Sequence, residues 1–344
     1  MPYQLIECVP NFSEGRDMSV IKQITDAIES VEGVRLLNVD SGKGANRTVV
    51  TFVGAPQAVV QAAFLGIKKA AEVIDMSKQT GKHPRLGSTD VCPLIPIADI
   101  SMAETVEWAK RLGAMVGGPL SIPVFLYESA ATKPERKNLA TIRAGEYEGL
   151  IEKLKKKEWQ PDFGSAVFNP KAGATVIGAR DFLIAYNVNL NTTSVELANA
   201  VAYEVRERGR TIVDEKGNKK QILGQCKAVK AIGWYIEEYS VAQVSMNVTD
   251  INVTPLHIAF EACCKSAEKH GMRVTGSELI GLLPKRVLLE AGLYFLQKQN
   301  TPIDISEDEI IKIAVKTLGL SELAPFDPQK RVIEFLLENV ETPQ

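Results

Sequence analysis

The sequence predicts an α/β protein of two similar subdomains, each a ferredoxin-like split β-α-β unit with a mixed sheet. Two observations predict this class. Short β-rich segments alternate with longer amphipathic segments along the 344 residues, as in layered α/β proteins. The order strand, helix, strand, strand, proline-started helix, strand also occurs twice, and it is the order of a split β-α-β unit. We therefore place the subdomains at residues 1–180 and 181–344.

The first half carries the first copy of this order and then further α/β segments. The first copy consists of strand Leu5–Val9, a helix at Val20–Ile28 capped by Ser19, strands Val34–Val39 and Thr48–Val53, a helix from Pro56 to Ile74, and strand Val91–Ile97. It is followed by a helix around Ala103–Met115, a strand at Val124–Tyr127 and a charged helix at Tyr147–Lys157. Serine is a preferred helix cap, and proline is favoured in the first helical turn.

The second half repeats the plan. Its elements are strand Phe182–Leu190, a helix opened by Ser194 and Val195, paired strands Lys227–Ile236 and Val241–Thr249, and a helix at Leu256–Lys269 that follows Pro255. The amphipathic segment Ser306–Glu338, with Gly319 as a helix stop, is expected to pack on this second subdomain. Two similar units set side by side form a crevice, and ligand sites favour such interfaces.

Composition limits the classes of function. Hydrophobic residues make up 45% and charged residues 24% of the chain, and the net charge is −2. This balance is typical of globular proteins and gives no global field that attracts nucleic acid or an anionic membrane. The N-terminus lacks a basic segment followed by an apolar one, and no apolar run reaches the ~20 residues that span a bilayer. We expect a cytoplasmic protein with neither nucleic-acid nor membrane partners.

The cysteine pattern predicts no metal site. The five cysteines are Cys8, Cys92, Cys226, Cys263 and Cys264. None belongs to a CxxC motif or to a Cys/His spacing suited to zinc. We expect reduced, mostly buried thiols.

The segment Gly81–Thr89, of sequence GKHPRLGST, contains one of only three histidines in the chain. Histidine is the side chain whose ordinary pKa lies near neutrality. The neighbouring Lys82 and Arg85 disfavour the imidazolium and are expected to keep His83 neutral, as a general base must be. On these residues alone, a solvated or structurally satisfied loop histidine stays an open alternative.

Polar residues also stand at the ends of predicted strands. Asp40 ends one strand, Arg47 precedes the next, and Asn11 follows the first. Asp40 is a candidate to orient or charge-stabilise an imidazole, and Arg47 to hold a substrate carboxylate with its two-pronged guanidinium. Asn11 lies in a polar loop that offers donors to a ligand. An Asx-turn, a surface ion pair and ordinary loop capping are the alternative interpretations.

A stretch between the halves, residues 159–174, has two prolines, two glycines and three aromatic residues. Prolines and glycines mark a loop, while the aromatic residues indicate an ordered loop that packs against its surroundings. Its position leaves two interpretations open, a functional loop and an interdomain strap.

Taken together, these loops resemble the glutamate formimidoyltransferase family, the formiminotransferase half of the formimidoyltransferase-cyclodeaminases. The matching stretches are Glu7–Gly15, Asn46–Val49, Thr51–Gly54, His83–Arg85, Asp90–Pro93, Arg143–Glu148, Pro161–Gly164, Gly178–Arg180, Phe182–Ala185 and Gly233–Tyr235. They run in the same order through nearly the whole chain. The resemblance does not extend to the cyclodeaminase half.

The resemblance implies transfer of a formimidoyl group between N-formimidoyl-L-glutamate and N5 of tetrahydrofolate, a step of histidine degradation. It implies tetrahydrofolate as co-substrate, L-glutamate as the other product, a folate tunnel between two α/β subdomains, and a homodimer. The family's catalytic histidine falls on His83. Its folate-contacting segment falls on Gly164, Ser165, Ala166, Val167, Phe168, Asn169, Pro170, Lys171, Ala172 and Gly173.

The chemistry of the transfer suits these residues. The attacking amine loses a proton and the departing amine gains one, and one imidazole can serve both steps without a metal. We hypothesise that Asp40 assists His83 or the developing positive charge. We further hypothesise that Arg47 or Arg85, with Asn11 nearby, binds a glutamate carboxylate.

Two other functions stay open on the sequence. The same scaffold suits formyl transfer or the metabolism of 5-formyltetrahydrofolate, because formyl and formimidoyl groups differ only by O versus NH. A non-catalytic folate-binding protein is the other alternative, and a neutral His83 argues against it.

Overall fold

A computed structural model describes residues 4–214, 217–299 and 305–338. The chain divides into two compact units, Met1–Asp181 and Phe182–Gln344, called unit 1 and unit 2 below. The predicted α/β class is confirmed, with a mixed sheet in unit 1, whereas the main sheet of unit 2 is antiparallel rather than mixed. In the described ranges, no helix has both the length and the apolar character that a membrane crossing requires.

Unit 1 consists of seven strands and five α-helices within its described residues. The strands are β1 (Leu5–Cys8), β2 (Asn11–Phe12), β3 (Val34–Gly42), β4 (Arg47–Gly54), β5 (Thr89–Ala98), β6 (Val124–Glu128) and β7 (Thr175–Ala179). The helices are α1 (Met18–Glu29), α2 (Pro56–Val73), α3 (Met102–Gly117), α4 (Leu139–Arg143) and α5 (Leu150–Leu154).

The strands of unit 1 form one mixed sheet. β1 and β2 both lie between β4 and β5, β3 pairs with β4 at one side, and β7 and β6 continue the sheet beyond β5 in parallel pairing. One face of the sheet contributes Ile6, Phe52 and Leu94 to a core shared with α1, α2 and α3. Apolar side chains from both layers thus cover this face.

The opposite face of the same sheet carries polar side chains. Directly opposed residues of antiparallel strands share a face, as do residues two apart on one strand. Asn11 and Asp40 both pair with Val49, and Glu7 pairs with Val53. Arg47, two residues before Val49, therefore shares a face with Asn11, Asp40 and Glu7.

A β-bulge interrupts β5 beside this polar face. Asn11 pairs with Val91 and Phe12 pairs with Thr89, so that Asp90 is an extra residue on β5. Bulges re-aim a side chain and are frequent next to active sites. The bulge accounts for an aspartate in a strand whose next residues are buried and apolar.

Unit 2 has six described strands and six helices. The strands are β8 (Ile184–Leu190), β9 (Arg210–Val213), β10 (Lys219–Ile222), β11 (Val229–Ile236), β12 (Val241–Val248) and β13 (Val274–Ile280). The helices are α6 (Val195–Val205), α7 (Leu256–Lys269), α8 (Lys285–Lys298), α9 (Glu307–Thr317), α10 (Pro328–Arg331) and α11 (Ile333–Glu338).

The main sheet of unit 2 has the order β11-β12-β8-β13, with every neighbour antiparallel. β8 and β11 therefore run in the same direction with β12 between them, and the chain connects them through α6 and the β9–β10 pair. Their core includes Val188, Val244 and Cys263, and the C-terminal segment adds Ile311 of α9 and Val332, which lies between α10 and α11. The prediction that the last segment packs on the second half of the chain is confirmed.

Two local predictions are wrong. The α1 cap is Asp17, whose carboxylate accepts from the Ser19 and Val20 amides, because a carboxylate two residues earlier reaches the same free donors. The charged helix at Tyr147–Lys157 reduces to α5 and a short 3-10 turn, Lys157–Trp159. The predictions for Ser194 as a cap and Leu256–Lys269 as a helix are confirmed.

Candidate active site

The His83 loop is held against the turn between β3 and β4. Asn46 adopts a left-handed backbone, and its Nδ2 donates to the Thr80 carbonyl at 2.8 Å. A methyl group on Gly81 would lie 2.4 Å from the Ala45 carbonyl oxygen, so the close approach requires glycine. A side-chain hydrogen bond to Thr80 and a close backbone approach at Gly81 therefore fix the two residues that lead into the His83 region.

His83 itself is half-buried, and one of its ring nitrogens has a fixed role. Its Nδ1 lies 2.8 Å from the Pro84 carbonyl oxygen. A carbonyl only accepts hydrogen bonds, so Nδ1 carries the proton in this contact. In the neutral ring, the lone pair that can accept a proton is then on Nε2.

A buried ion cluster lies on the polar face beside His83. Asp90 is 0% exposed, and its Oδ2 lies 2.6 Å from Nη1 of Arg47 and 2.5 Å from Nη2 of Arg143. Its Oδ1 accepts from the Leu86 amide at 2.9 Å. Nε of Arg47 donates to Oδ1 of Asn11 at 3.0 Å. Arg47, Asp90 and Arg143 are called the ion cluster below, and their formal charges sum to +1.

The two arginines of the ion cluster keep Asp90 ionised. Burial raises the pKa of Asp90, but Arg143 and Arg47 outweigh burial and bring this pKa down to about 2. Burial lowers the pKa of Arg47 to about 10, which still leaves its guanidinium charged at neutral pH. The three members of the cluster are therefore charged at neutral pH and together carry a formal charge of +1 around the buried Asp90.

His83 is neutral at pH 7, as the sequence predicts, but the largest causes are not the predicted ones. Burial, and after it repulsion from Arg47 and Arg143, lower the pKa of His83 to about 3, and attraction to Asp90 only partly opposes them. The predicted groups, Lys82 and Arg85, are not among these largest influences. Two arginines distant in sequence act on the imidazole because the start of β4 and the end of α4 bring them to it.

Arg85 instead forms its own ion cluster. Its guanidinium donates to Glu146 at 3.0 Å and to Glu148 at 2.6 Å, and its Nε donates to Gln79 at 2.9 Å. One arginine and two carboxylates sum to −1, which repels a substrate carboxylate. Of the two arginines predicted to bind glutamate, the charge balance favours Arg47.

Asp40 lies on β3, on the same face of the sheet as Arg47. The strongest electrostatic influences on His83 come from Arg47, Arg143 and Asp90. The carboxylate coupled to the imidazole is thus Asp90, and the assistance expected from Asp40 stays a prediction.

The predicted folate segment, Gly164–Gly173, is anchored at both ends. Gly164 has a φ of 81° and lies close to Ile122, where a methyl group would meet the carbonyl oxygen at 2.6 Å. At the other end, Oδ1 of Asn169 accepts from the amides of Lys171 and Ala172. Between the anchors Val167 is 70% exposed. The segment is an ordered loop, as its aromatic residues indicated. Its exposed middle is an additional finding of the structure.

The end of this segment is joined to the residues that follow His83. The Ser88 amide donates to the Ala172 carbonyl at 2.9 Å, and the Ala174 amide donates to the Leu86 carbonyl at 3.2 Å. Gly87 and Gly173 form the bridge between these bonds. His83 and the folate segment, predicted separately, thus belong to one connected structure within unit 1.

Asp90 and Arg143 are the site residues to which the sequence assigned no role. Both stand in stretches that carry the family resemblance, and that is the signal that draws attention to them. Their partnership depends on a contact between residues 53 positions apart. A local pattern carries no information about such a contact.

Family comparisons cover both units. Residues 5–180 match the family model for the formiminotransferase domain, N-terminal subdomain, and residues 185–338 match the formiminotransferase domain. The chain is 42% identical to the glutamate formimidoyltransferase of Streptococcus pyogenes serotype M1, over 86% of this chain and 95% of that protein. It is 43% identical to the glutamate formimidoyltransferase of Thermoplasma acidophilum, over 85% of this chain and 92% of that protein.

A longer relative matches nearly the whole chain. The chain is 48% identical to the formimidoyltransferase-cyclodeaminase of Gallus gallus, over 97% of this chain and 60% of that protein. The chain therefore spans about three fifths of the length of these longer relatives.

Proposed function

Because the chain belongs to the formiminotransferase family, we propose that it transfers a formimidoyl group between N-formimidoyl-L-glutamate and N5 of tetrahydrofolate. The products are 5-formimidoyltetrahydrofolate and L-glutamate. The observation that carries the proposal is a neutral His83 with an accepting Nε2, placed beside the ion cluster. The likeness to two glutamate formimidoyltransferases over most of their length supports it.

The proposed reaction moves one proton between two amines. N5 of tetrahydrofolate attacks the carbon of the protonated formimidoyl (amidinium) group and forms a C–N bond, the C=N π pair moves onto the imino nitrogen, and Nε2 of His83 takes the N5 proton. The tetrahedral carbon then carries three nitrogens. When the lone pair of the former imino nitrogen re-forms the C=N bond, the bond to the glutamate nitrogen breaks, and the imidazolium returns the proton to that nitrogen, so the imidazole is regenerated.

The ion cluster makes the proposed glutamate site positively charged. Two arginines against one aspartate leave a positive charge that attracts a carboxylate. Dissolved salt screens a buried charge less than it screens a charge at the surface. Arg47 and Asn11 are the proposed contacts of the glutamate carboxylate. The proposed folate contacts are the residues of the Gly164–Gly173 segment.

The test of the proposed base is substitution of His83. We expect His83→Asn and His83→Gln to lower turnover by about 10²–10⁴-fold, the usual contribution of a general base. Binding of 5-formyltetrahydrofolate, measured by fluorescence quenching, is expected to persist. His270→Gln, which changes a half-exposed histidine paired with Glu204 in unit 2, is the matched control and keeps turnover.

Wild-type turnover in both His83 variants would rule out the proposed mechanism. Supplying N-formyl-L-glutamate as a second donor tests the formyl alternative in the same assay. Bound folate without turnover of either donor would favour the folate-binding alternative. The folate crevice, the homodimer and the cytoplasmic location stay predictions, and light scattering of the purified protein tests the homodimer.

A further inference from the structure

The end of α4 and the turn that follows it gather several site contacts into six residues, Arg143–Glu148. Gly145 and Glu146 both have a positive φ, of 88° and 53°, and this reverses the chain sharply. Arg143 enters the ion cluster, while Glu146 and Glu148 hold Arg85. The two glutamates flank Tyr147, whose side chain has a different set of contacts.

Tyr147 touches both the His83 loop and the predicted folate segment. Its amide donates to the Arg85 carbonyl at 2.9 Å, two residues after His83. Its hydroxyl donates to the Pro170 carbonyl at 2.6 Å. Its ring lies 5.4 Å from the ring of Phe168, centroid to centroid, at an angle of 48°.

These contacts fall where the folate segment is otherwise exposed. The Asn169 side chain organises the end of the segment, and Val167 stands out toward solvent. Phe168 and Tyr147 are both half-buried, so their rings are partly accessible. Partly exposed aromatic faces are suited to stacking against the flat rings of a ligand.

We propose that Tyr147 is a positioning residue that fixes the folate segment against the His83 loop, so that the bound folate meets the base. The inference rests on the proposed function, because the folate segment is assigned through it. Tyr147 acts through two separable features. Its hydroxyl ties Pro170, and its ring orders Phe168.

The experiment separates these features in the full-length chain. Tyr147→Phe removes the hydroxyl bond and keeps the ring, while Tyr147→Leu removes both. We expect the Kd for 5-formyltetrahydrofolate to rise about 2–10-fold in Tyr147→Phe, as loss of one hydrogen bond predicts. In Tyr147→Leu we expect a further rise of about 2–10-fold from loss of the ring pair. The KM for N-formimidoyl-L-glutamate should stay at the wild-type value in both.

Tyr203→Phe is the matched control, because Tyr203 lies on α6 in unit 2 and its ring contacts Arg206. Its folate Kd is expected to equal that of the wild type.

If both Tyr147 variants bind folate like the wild type, the inference is wrong, whatever the His83 variants do. An equal rise in the Kd for 5-formyltetrahydrofolate and in the KM for N-formimidoyl-L-glutamate would also overturn it, since a general loss of structure affects both ligands. If Tyr147→Leu fails to fold, Tyr147→Phe alone decides. A wild-type chain that binds no folate would overturn this inference and the proposed function together. His83 variants that are inactive but still bind folate are compatible with this inference.

Discussion

At the scale of single residues, His83 owes its properties to groups that are remote in sequence. The Pro84 carbonyl selects the Nδ1-protonated ring, and burial together with Arg47 and Arg143 disfavours a second proton. A free base this weak accepts a proton poorly. We expect an anionic substrate bound beside the two arginines to offset part of their charge and thereby to raise the pKa of His83.

The titration of His83 is a first prediction. Since its folded-state pKa is lowered to about 3, the imidazole of the free protein stays neutral from pH 8 down to pH values well below the ordinary 6.5. We expect its Cε1–H resonance to stay constant between about pH 5.5 and 8. The resonance is assigned by its loss in His83→Asn. A titration midpoint near 6.5 would contradict the burial and charge assignments.

Asp90 gives the second prediction. Asp90→Asn leaves Arg47 and Arg143 buried together without their counter-charge, and breaking a buried ion network costs about 3–5 kcal/mol. The control is Asp26→Asn, which breaks an exposed pair with Lys22 worth at most about 1 kcal/mol. Urea unfolding of both variants at pH 7 measures the difference. Equal losses would show that the ion cluster does not stabilise the fold.

At the scale of elements, the site depends on irregular backbone placed beside regular strands. The bulge in β5 supplies Asp90, and the left-handed Asn46 supports the His83 loop. Gly173 closes the folate segment with a φ of 68°, and a methyl group on it would lie 2.2 Å from the Leu86 carbonyl oxygen. Glycine is therefore required at this position for two reasons: the backbone has a positive φ, and there is no room for a side chain.

Substitution of Gly173 is the third prediction. Gly173→Ala is expected to cost about 1–3 kcal/mol of stability, because alanine adopts this backbone with strain and meets the Leu86 carbonyl. Folate affinity should fall with it, since the bridge to Gly87 holds the end of the segment. Gly44→Ala is the control, because no atom lies within 4 Å of the added methyl group. Thermal unfolding and folate titration of the two variants make the comparison. A Gly173→Ala protein as stable as Gly44→Ala would disprove the requirement.

At the scale of the whole molecule, each unit has a hydrophobic core of its own, and unit 1 also buries charge under its polar face. Glu7 is 4% exposed on that face. Burial raises its pKa from 4.5 to about 7, and attraction to Arg180 only partly opposes this. A carboxyl group that holds its proton more tightly when folded stabilises the protein fully below pH 4.5, and this contribution is lost as the pH rises to about 7.

Glu7 gives the fourth prediction, which concerns the stability of the protein as a function of pH. Between pH 5 and 8 the wild type should lose stability from this residue, on the order of 3 kcal/mol for the full shift. Glu7→Gln cannot ionise at this position, so the free energy of unfolding of this variant should decrease by about this amount less between pH 5 and 8. The exposed Glu29→Gln serves as control. The measurement is urea unfolding at both pH values, and an identical pH dependence in wild type and Glu7→Gln would refute it.

The sequence by itself determined the α/β class, most elements and the identity of His83 as the candidate base. Hydrophobic periodicity, and the prolines and serines that mark helix starts, are properties of neighbouring residues, so they can be recognised in the sequence alone. This is why the helix at Leu256–Lys269 could be predicted to the residue. The charged stretch at Tyr147–Lys157 failed because its charges and tyrosine are used in tertiary contacts rather than along a helix face.

Only the tertiary structure decided which charges act on His83. Lys82 and Arg85 are its neighbours in sequence, but Arg85 is neutralised by Glu146 and Glu148. Arg47 and Arg143 come from other parts of the chain and act on the imidazole together with Asp90. Electrostatic interactions depend on distance and burial in space, and a sequence records neither. The candidate base could thus be found from residue type and resemblance, while its environment required the fold.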